Sequence, residues 1–277
     1  MNNLITIPIL ELHVAHGCNL TCESCSHYSN QGHKGLLTLD DAKEMFEKWH
    51  KRVVPQSFSI LGGEPTINPK LPEFLTLARA YWPHSKLCLI TNGFFLHRHP
   101  ELPKVMQEVK NASIEVSIHH DSPEYLAKIN PVIELLKEWV RDYGVEVIIR
   151  TPLEKWTLRY LGEGATFEPF NDQNPRKSWE ICPCRRCIQL FRGGLWKCPP
   201  LAYLTLQNEV HTLSKSWDPY LKYQPLNSDC SDEDLQRFLA LEEESFCNMC
   251  PSSTILFKLP IPMRSSRGEL ALAVINI

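Results

Sequence analysis

The sequence feature that most constrains this chain is a group of three cysteines in one short loop. Cys18, Cys22 and Cys25 occupy a CxxxCxxC spacing directly after an apolar segment that predicts a first strand. Thiolates this close together can converge on one metal centre, and three protein ligands on a four-iron cluster leave one iron open to an external chelator. The motif therefore predicts a reactive metal site. A zinc site or a disulfide-bearing loop is the alternative.

The eleven cysteines of the chain also indicate metal or redox use. Their number is odd, and most of them fall in tight clusters, whereas a disulfide framework would spread them. Cys88 stands apart in a strand-like run and is predicted to be a buried structural thiol.

Composition narrows the class of protein. With 277 residues, 43% hydrophobic and 22% charged, the chain has the make-up of a globular protein with one large and one small domain. Its net charge of −3 favours neither a nucleic-acid partner nor an anionic membrane. The amino-terminal residues lack a cationic leader, and no stretch is apolar enough to span a membrane. These features predict a cytoplasmic protein.

Short apolar strands alternate with amphipathic helices through the first 150 or so residues. The predicted strands are Leu10–His13, Ser57–Leu61, Lys86–Thr91, Ser113–His119 and Val145–Arg150. The predicted helices are Asp40–Lys51, Leu71–Trp82, Leu102–Lys110 and Pro123–Tyr143, with an interruption near Asn130-Pro131 as an alternative for the last. This order predicts an α/β fold with a parallel sheet, either a barrel or an open doubly wound sheet.

Chemically versatile residues follow the carboxyl end of each predicted strand, which is where α/β folds bind their ligands. They are Cys18 to Cys25 after strand one, Gly62-Gly63-Glu64-Pro65 after strand two, Thr91-Asn92-Gly93 after strand three, Ser117, His119 and His120 after strand four, and Arg150 and Thr151 after strand five. We therefore expect a single site at this end of the sheet.

The CxxxCxxC motif after strand one resembles that of the radical S-adenosylmethionine (SAM) superfamily. The resemblance implies that Cys18, Cys22 and Cys25 bind a 4Fe-4S cluster whose open iron is chelated by SAM. It implies that an electron from the cluster cleaves SAM to methionine and a 5′-deoxyadenosyl radical, which abstracts a substrate hydrogen. The chain departs from the family at Ser24, where an aromatic residue is usual, and His27 or Tyr28 is the alternative packing partner for the adenine.

Gly62, Gly63 and Glu64 match the GGE motif of that family, which holds the methionine end of SAM. Glycines permit close backbone approach, and a carboxylate can accept hydrogen bonds from an ammonium group. Alone, these residues would indicate only a turn, but they lie one βα unit after the cysteine motif. By the same resemblance, the candidates for ribose or carboxylate contacts are Asn92, Ser117 and Arg150. The implied fold is a partial (β/α)6 TIM-like barrel.

The pattern changes near Pro152, where irregular stretches rich in Gly, Pro and Asn begin. We therefore divide the chain into residues 1–151, with an extension to about residue 170 as an alternative, and a cysteine-rich domain of residues 152–277. Within it, Gly193-Gly194 predicts a β-hairpin turn that brings Cys198 back toward the earlier cysteines. A later helix, capped by Ser231 and running from about Asp232 to Glu244, leads to a CxxC motif.

This second domain resembles the auxiliary-cluster domains of the same family, called SPASM in the long form and twitch in the short form. Cys182, Gly193 and Cys198 follow the first half of their signature, and Cys247 and Cys250 supply the CxxC. A single CxxC implies one auxiliary 4Fe-4S cluster and therefore a small, twitch-like domain. The first ligand is left open between Cys182, Cys184 and Cys187. A four-cysteine zinc site is the alternative.

Cys230 lies in a polar run and has three open interpretations: a spare ligand, a hydrogen donor to the substrate, or a solvent-facing loop thiol, which the polar surroundings favour.

The sequence thus predicts a radical SAM oxidoreductase or maturase with no assigned catalytic side chain. Its expected cofactors are the SAM-binding 4Fe-4S cluster, SAM and a second 4Fe-4S cluster, and its expected reductant is a protein of flavodoxin or ferredoxin type. The substrate is either a small polyol or sugar or a ribosomally made peptide. The predicted first strand begins close to Met1, which leaves no room for a leader-binding domain and weakens the peptide hypothesis. A non-catalytic zinc- or iron-sulfur-binding scaffold is the alternative.

Overall fold

A computed structural model describes residues 4–151 and 156–263 of the chain. Its strands are β1 (Ile5–Ala15), β2 (Val53–Gly62), β3 (Lys86–Thr91), β4 (Ala112–Ser117), β5 (Glu146–Arg150), β6 (Cys187–Phe191) and β7 (Gly194–Trp196). The five strands predicted in the first part of the chain are all present, and β1 and β2 are longer than predicted.

The α-helices are α1 (Leu39–Trp49), α2 (Leu71–Tyr81), α3 (Leu102–Val109), α4 (Pro123–Tyr143), α5 (Pro175–Glu180), α6 (Pro199–Val210), α7 (Asp218–Leu221) and α8 (Asp232–Ala240). Short 3₁₀ helices are Ser29–Gln31, Pro65–Ile67, Leu96–Arg98, Gly164–Thr166, Lys215–Trp217 and Ser245–Met249. The interruption of α4 near Pro131 does not occur, because the apolar face that carries Ile129 and Val132 stays packed in the core. The Ser231 cap is confirmed, but α8 ends before Glu244.

The seven strands form one open sheet in the order β5-β4-β3-β2-β1-β6-β7. All neighbouring pairs are parallel except β6 and β7, which form an antiparallel hairpin. The alternation of strands and helices and the parallel pairing confirm the α/β fold and the partial TIM-like barrel. The carboxyl ends of β1 to β6 consequently meet at one edge of the sheet.

The predicted hairpin exists, with its turn one residue earlier than expected. Arg192 and Gly193 occupy the turn with positive φ values of 50° and 81°, as a two-residue type I′ turn requires, and Gly194 already belongs to β7. β6 pairs in parallel with β1, so the cysteine-rich part of the chain extends the same sheet. The predicted boundary near Pro152 falls in residues 152–155, which lie outside the described residues.

The two faces of the sheet differ in chemistry because side chains alternate along each strand. Leu10 and Leu12 of β1 belong to the large apolar core against the helices. Glu11 and His13, which alternate with these leucines along β1, are buried on the opposite, concave face of the sheet. There the Glu11 carboxylate accepts a hydrogen bond of 2.5 Å from the amide of Gln189 in β6. The concave face of the partial barrel is thus polar and buried.

A second, largely aromatic core joins the cysteine loop to the carboxyl-terminal part. Tyr28 is 2% exposed and packs against Tyr160 and Phe167, with ring centroids 5.5 and 5.1 Å away. Cys198 and Cys250 pack against the same cluster. Both cysteine-rich regions therefore share one apolar core.

Close backbone contacts position the loop after β1 against the end of β2. The Gly63 N–H donates to the Ala15 carbonyl at 2.8 Å, and the Glu64 N–H donates to the Gly17 carbonyl at 2.9 Å. A Cβ atom at Gly62 would lie 2.4 Å from the Ala15 oxygen, and one at Gly63 would lie 2.3 Å from the Gly17 oxygen. Both positions require glycine because another backbone occupies the space of a side chain.

We expect Gly63→Ala to lower the free energy of unfolding by about 3 kcal/mol or more, because backbone atoms cannot move away from the added methyl group. Gly32→Ala is the matched control. Gly32 has a positive φ of 86°, and no described atom lies within 4 Å of an added Cβ. This substitution should therefore lower the free energy of unfolding by about 1 kcal/mol only. Urea unfolding of the iron-loaded proteins measures both. Equal costs for the two variants would contradict the close approach of β2 to Gly17.

Candidate active site

The carboxyl ends of the first four strands surround a cavity of about 290 Å³. Its lining includes seven of the predicted residues: Cys18, Cys22, Cys25, Gly62, Gly63, Asn92 and Ser117. Its lining also includes residues that were not predicted as ligands, among them His119, Trp156, Thr157 and Arg159. The ends of strands one to four thus meet at one cavity as expected, whereas Arg150 and Thr151 after strand five do not line it.

The three cysteines of the loop line this cavity together. Burial raises the pKa of the Cys22 thiol, and the neighbouring Cys18 and Cys25 raise it further. Burial also raises the pKa of Cys25, which the backbone N–H groups of residues 27–30 partly offset. Several thiols that repel one another as thiolates suit a cationic iron cluster, which neutralises their charge.

Among residues 4–151 and 156–263, no three His, Cys, Asp or Glu side chains are placed so that they could hold a single metal ion. The fit of a cluster therefore rests on the donors: three thiols that face one cavity from one loop, beside a glycine turn held against that loop. This donor set fits a thiolate-bound iron cluster.

Glu64 follows the glycine turn, is fully buried and is not part of the cavity lining. One carboxylate oxygen accepts hydrogen bonds from the Thr66 N–H, the Thr66 hydroxyl and the Thr91 hydroxyl, and the other accepts one from the Asn92 N–H at 2.8 Å. Burial raises the pKa of this carboxyl, and the bonds from Thr66 and Thr91 oppose the rise. The carboxylate thus ties the ends of β2 and β3 together, while its second oxygen can accept one more donor.

The remaining predicted contacts differ in position. The Asn92 amide donates to the Asn19 side chain at 2.7 Å, next to Cys18, and Ser117 lines the cavity. Arg150 does not line it: its side chain is 55% exposed and pairs with Glu115 at 3.4 Å.

Ser24, which stands where an aromatic residue is usual in the family motif, makes a specific contact in the structure. Ser24 has a positive φ of 61°, and its hydroxyl accepts a hydrogen bond from the Arg159 N–H at 2.9 Å. Of the two alternative aromatic partners, His27 lines the cavity and stacks on His13, whereas Tyr28 belongs to the aromatic core.

The segment from Trp156 to Tyr160 is the part of the site that sequence reasoning missed. Its backbone pairs with residues 255–257, through Leu158 N–H to Ile255 O at 3.0 Å and Phe257 N–H to Trp156 O at 3.1 Å. On its other side it contacts the cysteine loop through Ser24. The available sequence signal was a tryptophan and an arginine shortly after the end of β5. We call residues 156–160 the bridging segment.

A second set of cysteines surrounds a smaller cavity of about 40 Å³. Cys182, Cys198, Cys247 and Cys250 all line it. Burial raises the pKa of Cys198, as do the nearby Cys182 and Cys250.

The other two candidates for the first ligand lie elsewhere. Cys187 begins β6 and pairs with Ile9 of β1. Cys184 interacts with Cys187 and with Glu11 as well as with Cys182. Neither lines the small cavity, so Cys182 is the candidate that the geometry favours.

Cys230 lines neither cavity. The Arg52 guanidinium donates to its sulfur at 3.1 Å, and Arg52 precedes β2 at the end of the strand opposite to Gly62. A thiol at this end of the sheet cannot reach the cavity at the carboxyl ends. The structure therefore places Cys230 out of reach of a substrate in that cavity.

His119 should make stability depend on pH. Burial, and then the charge of Arg150, lower its pKa from 6.5 to about 4. The folded protein thus favours the neutral imidazole, and this preference contributes to the free energy of unfolding. The contribution is fully present above pH 6.5 and is lost as the pH falls from 6.5 toward 4. As the pH falls over this range, we expect the free energy of unfolding of His119→Gln to decrease by about 1–2 kcal/mol less than that of the wild type. Urea unfolding of the iron-loaded proteins at several pH values, without SAM, measures the difference; parallel curves would contradict a buried neutral His119.

None of the helices in the described part of the chain has the length and apolar character that a membrane-spanning segment needs.

Comparison with curated proteins finds relatives that share part of the chain. A 7,8-dihydro-6-hydroxymethylpterin dimethyltransferase of Methanocaldococcus jannaschii is 32% identical over 158 residues, which are 54% of this chain and 31% of that protein. A GTP 3′,8-cyclase of Nautilia profundicola is 27% identical over 157 residues, which are 52% of this chain and 47% of that protein. The chain thus spans less than half the length of these relatives.

Solved structures also match the chain, at low identity. BtrN in complex with AdoMet and 2-DOIA matches 92% of this chain and 100% of that chain, with 13% identity and a TM-score of 0.49. Native anSMEcpe with bound AdoMet and a peptide matches 52% of this chain and 42% of that chain, with 21% identity and a TM-score of 0.41.

The family model of the radical SAM superfamily matches residues 12–167. This range covers more than half of the chain and includes the cysteine loop, the glycine turn and the bridging segment. Proteins of the family use a 4Fe-4S cluster and SAM, which the donor set of the larger cavity fits. The chain belongs to the radical SAM superfamily.

Proposed function

We propose that this protein is a radical SAM oxidoreductase or maturase in which a second, twitch-like iron-sulfur site takes up the electron left by the substrate. The observation that carries the proposal is that the two cysteine sets are neighbours. Pro183 and Arg159 line the larger cavity, and Cys182, next to Pro183 in the chain, lines the smaller one. A substrate in the larger cavity would therefore lie close to both sets.

Different residues at the larger cavity would bind the cluster and SAM. Cys18, Cys22 and Cys25 would hold the first cluster, and the turn at Gly62 and Gly63 would hold the methionine end of SAM. Glu64 would order this turn and offer its second oxygen to the SAM ammonium. When bound, the cluster supplies the electron that cleaves SAM to methionine and a 5′-deoxyadenosyl radical.

Asn92 and Ser117 remain the candidates for ribose or carboxylate contacts. Arg150 is a weaker candidate, because its guanidinium pairs with Glu115 and is largely exposed. Burial keeps His119 neutral, so that it can offer a hydrogen bond without adding charge.

In the proposed reaction the substrate loses a hydrogen atom to the 5′-deoxyadenosyl radical, then a proton and one electron, so that it is oxidised by two electrons in total. Cys182, Cys198, Cys247 and Cys250 would hold the second cluster, which would supply an acceptor for this last electron. Tyr28 and the bridging segment fill the space between the two cysteine sets, which keeps water away from the radical. A protein of flavodoxin or ferredoxin type would reduce the first cluster, and the many cysteines suit a reducing compartment such as the cytoplasm.

Of the two substrate classes, we favour a small molecule over a peptide. Two relatives are named for reactions of GTP and of a pterin, which are small molecules. A ribosomal peptide and a non-catalytic metal scaffold are the alternatives, and formation of 5′-deoxyadenosine by the reduced protein would exclude the scaffold.

Single serine variants test which cysteines hold the second site. The anaerobically reconstituted wild type should carry about 8 iron atoms per chain, which corresponds to two clusters of four. Cys182→Ser should lower this to about 4, and Cys187→Ser, the matched control, should retain about 8. Iron analysis and Mössbauer spectroscopy measure both. Equal iron loss in the two variants would contradict the assignment of Cys182, and zinc retained under iron-replete expression would favour the zinc alternative.

The roles of the two sites are tested by Cys247→Ser. We expect the reduced variant still to form 5′-deoxyadenosine from SAM, because Cys18, Cys22 and Cys25 are intact, although loss of the second cluster can destabilise the protein. Product formation from the true substrate should fail. If the variant keeps the first cluster by electron paramagnetic resonance but cannot cleave SAM, the proposed division of roles is wrong and the second site must supply electrons to the first.

A further inference from the structure

The lining of the larger cavity contains a single formally charged side chain besides the cysteines, that of Arg159 on the bridging segment. Among residues 4–151 and 156–263, no carboxylate forms an ion pair with its guanidinium. A cation at the wall of a cavity attracts an anionic group more strongly than a cation on an open surface, because water screens the charge less there.

The backbone of Arg159 is held firmly in place. Its N–H donates to the Ser24 hydroxyl at 2.9 Å, and the next residue, Tyr160, is 3% exposed and donates to the Asn30 side chain at 3.2 Å. The guanidinium extends from this fixed backbone close enough to Cys182 and Cys250 to interact with both thiols electrostatically. The cysteine loop and the glycine turn form another part of the lining, where the methionine end of SAM is proposed to bind.

Two further donors of the bridging segment lack partners. The indole N–H of Trp156 and the hydroxyl of Thr157 are buried and make no hydrogen bond to any described residue. Buried polar groups of this kind are uncommon and require a partner. Both residues line the same cavity as Arg159, so the segment places a cation and two unpaired donors at one wall of the cavity.

We propose that Arg159, with Trp156 and Thr157 beside it, binds a carboxylate or phosphate group of the substrate and so holds the substrate between the two cysteine sets. A guanidinium and neutral donors are the groups that recognise such oxyanions. This inference rests on the proposed function, and it narrows the substrate to an anionic small molecule.

The binding site can be tested before the substrate is known, with inorganic phosphate and acetate as probes. Each is titrated calorimetrically into the reconstituted protein with oxidised clusters and saturating SAM, so that SAM stays intact and fills its own site. Phosphate or acetate should bind the wild type and the control variant Arg141→Gln equally, since Arg141 is an exposed residue of α4 paired with Asp142. Arg159→Gln should weaken binding about ten- to a hundredfold, and Arg159→Lys should restore part of it.

Three results would overturn the proposal. These are no binding of either probe to the wild type, equal binding to the wild type and Arg159→Gln, or a loss of SAM affinity in Arg159→Gln as large as the loss of probe affinity. The last result would assign the guanidinium to the carboxylate of SAM. Because Arg159→Gln can lose iron or stability, phenylglyoxal labelling of the wild type provides a second measurement. Phosphate should protect Arg159 but not Arg141, as read by mass spectrometry, and equal labelling with and without phosphate would refute the site.

The same preparations separate this inference from the proposed function. Reduction with dithionite in the presence of SAM should yield 5′-deoxyadenosine. If it does while neither probe binds at Arg159, the anion site alone is refuted. If a probe binds at Arg159 but no 5′-deoxyadenosine forms, the proposed function fails and the anion site stands.

Discussion

The structure depends on the close backbone contact between the end of β2 and the loop after β1. Two adjacent glycines, Gly62 and Gly63, allow carbonyl oxygens of Ala15 and Gly17 to approach to distances that a side chain would prevent. The hydrogen bonds that follow hold the loop that carries Cys18 to Cys25 against the sheet. The pair Gly62 and Gly63, which is proposed to contact SAM, therefore also stabilises the structure. It sets the position of the cysteines relative to the cavity.

Buried polar groups extend this order to neighbouring strands. The Glu64 carboxylate ties Thr66, Thr91 and the Asn92 backbone together, so the ends of β2 and β3 cannot move independently. A buried carboxylate is stable only when several donors satisfy it, and here four hydrogen bonds do so. These hydrogen bonds join the strand ends around the cavity that is proposed to hold the reactive ligand.

The second cysteine set is joined to this part of the sheet by pairing and by packing. β6 pairs with β1 on the side away from β2, and the aromatic core around Tyr28 packs beside the cysteine loop. The bridging segment lies between the two sets and contributes Arg159 to the cavity wall. As a result, two cysteine clusters that are more than a hundred residues apart in the chain lie on either side of one short segment.

The sequence by itself determined the elements and the chemistry of the loops. The CxxxCxxC spacing, the glycine turn and the alternation of strands and helices are local patterns, so the parallel sheet, the position of the site and Cys18, Cys22 and Cys25 could be inferred without coordinates. Only the tertiary structure decided which distant residues meet. The spacing fits Cys182, but the sequence left Cys184 and Cys187 open as well, because the lining of the smaller cavity depends on β6 pairing with β1 and placing Cys187 within the sheet. Arg159 and Trp156 carry no motif, and Arg150 and Cys230 are turned or placed away from the cavity by contacts between elements that no local pattern encodes.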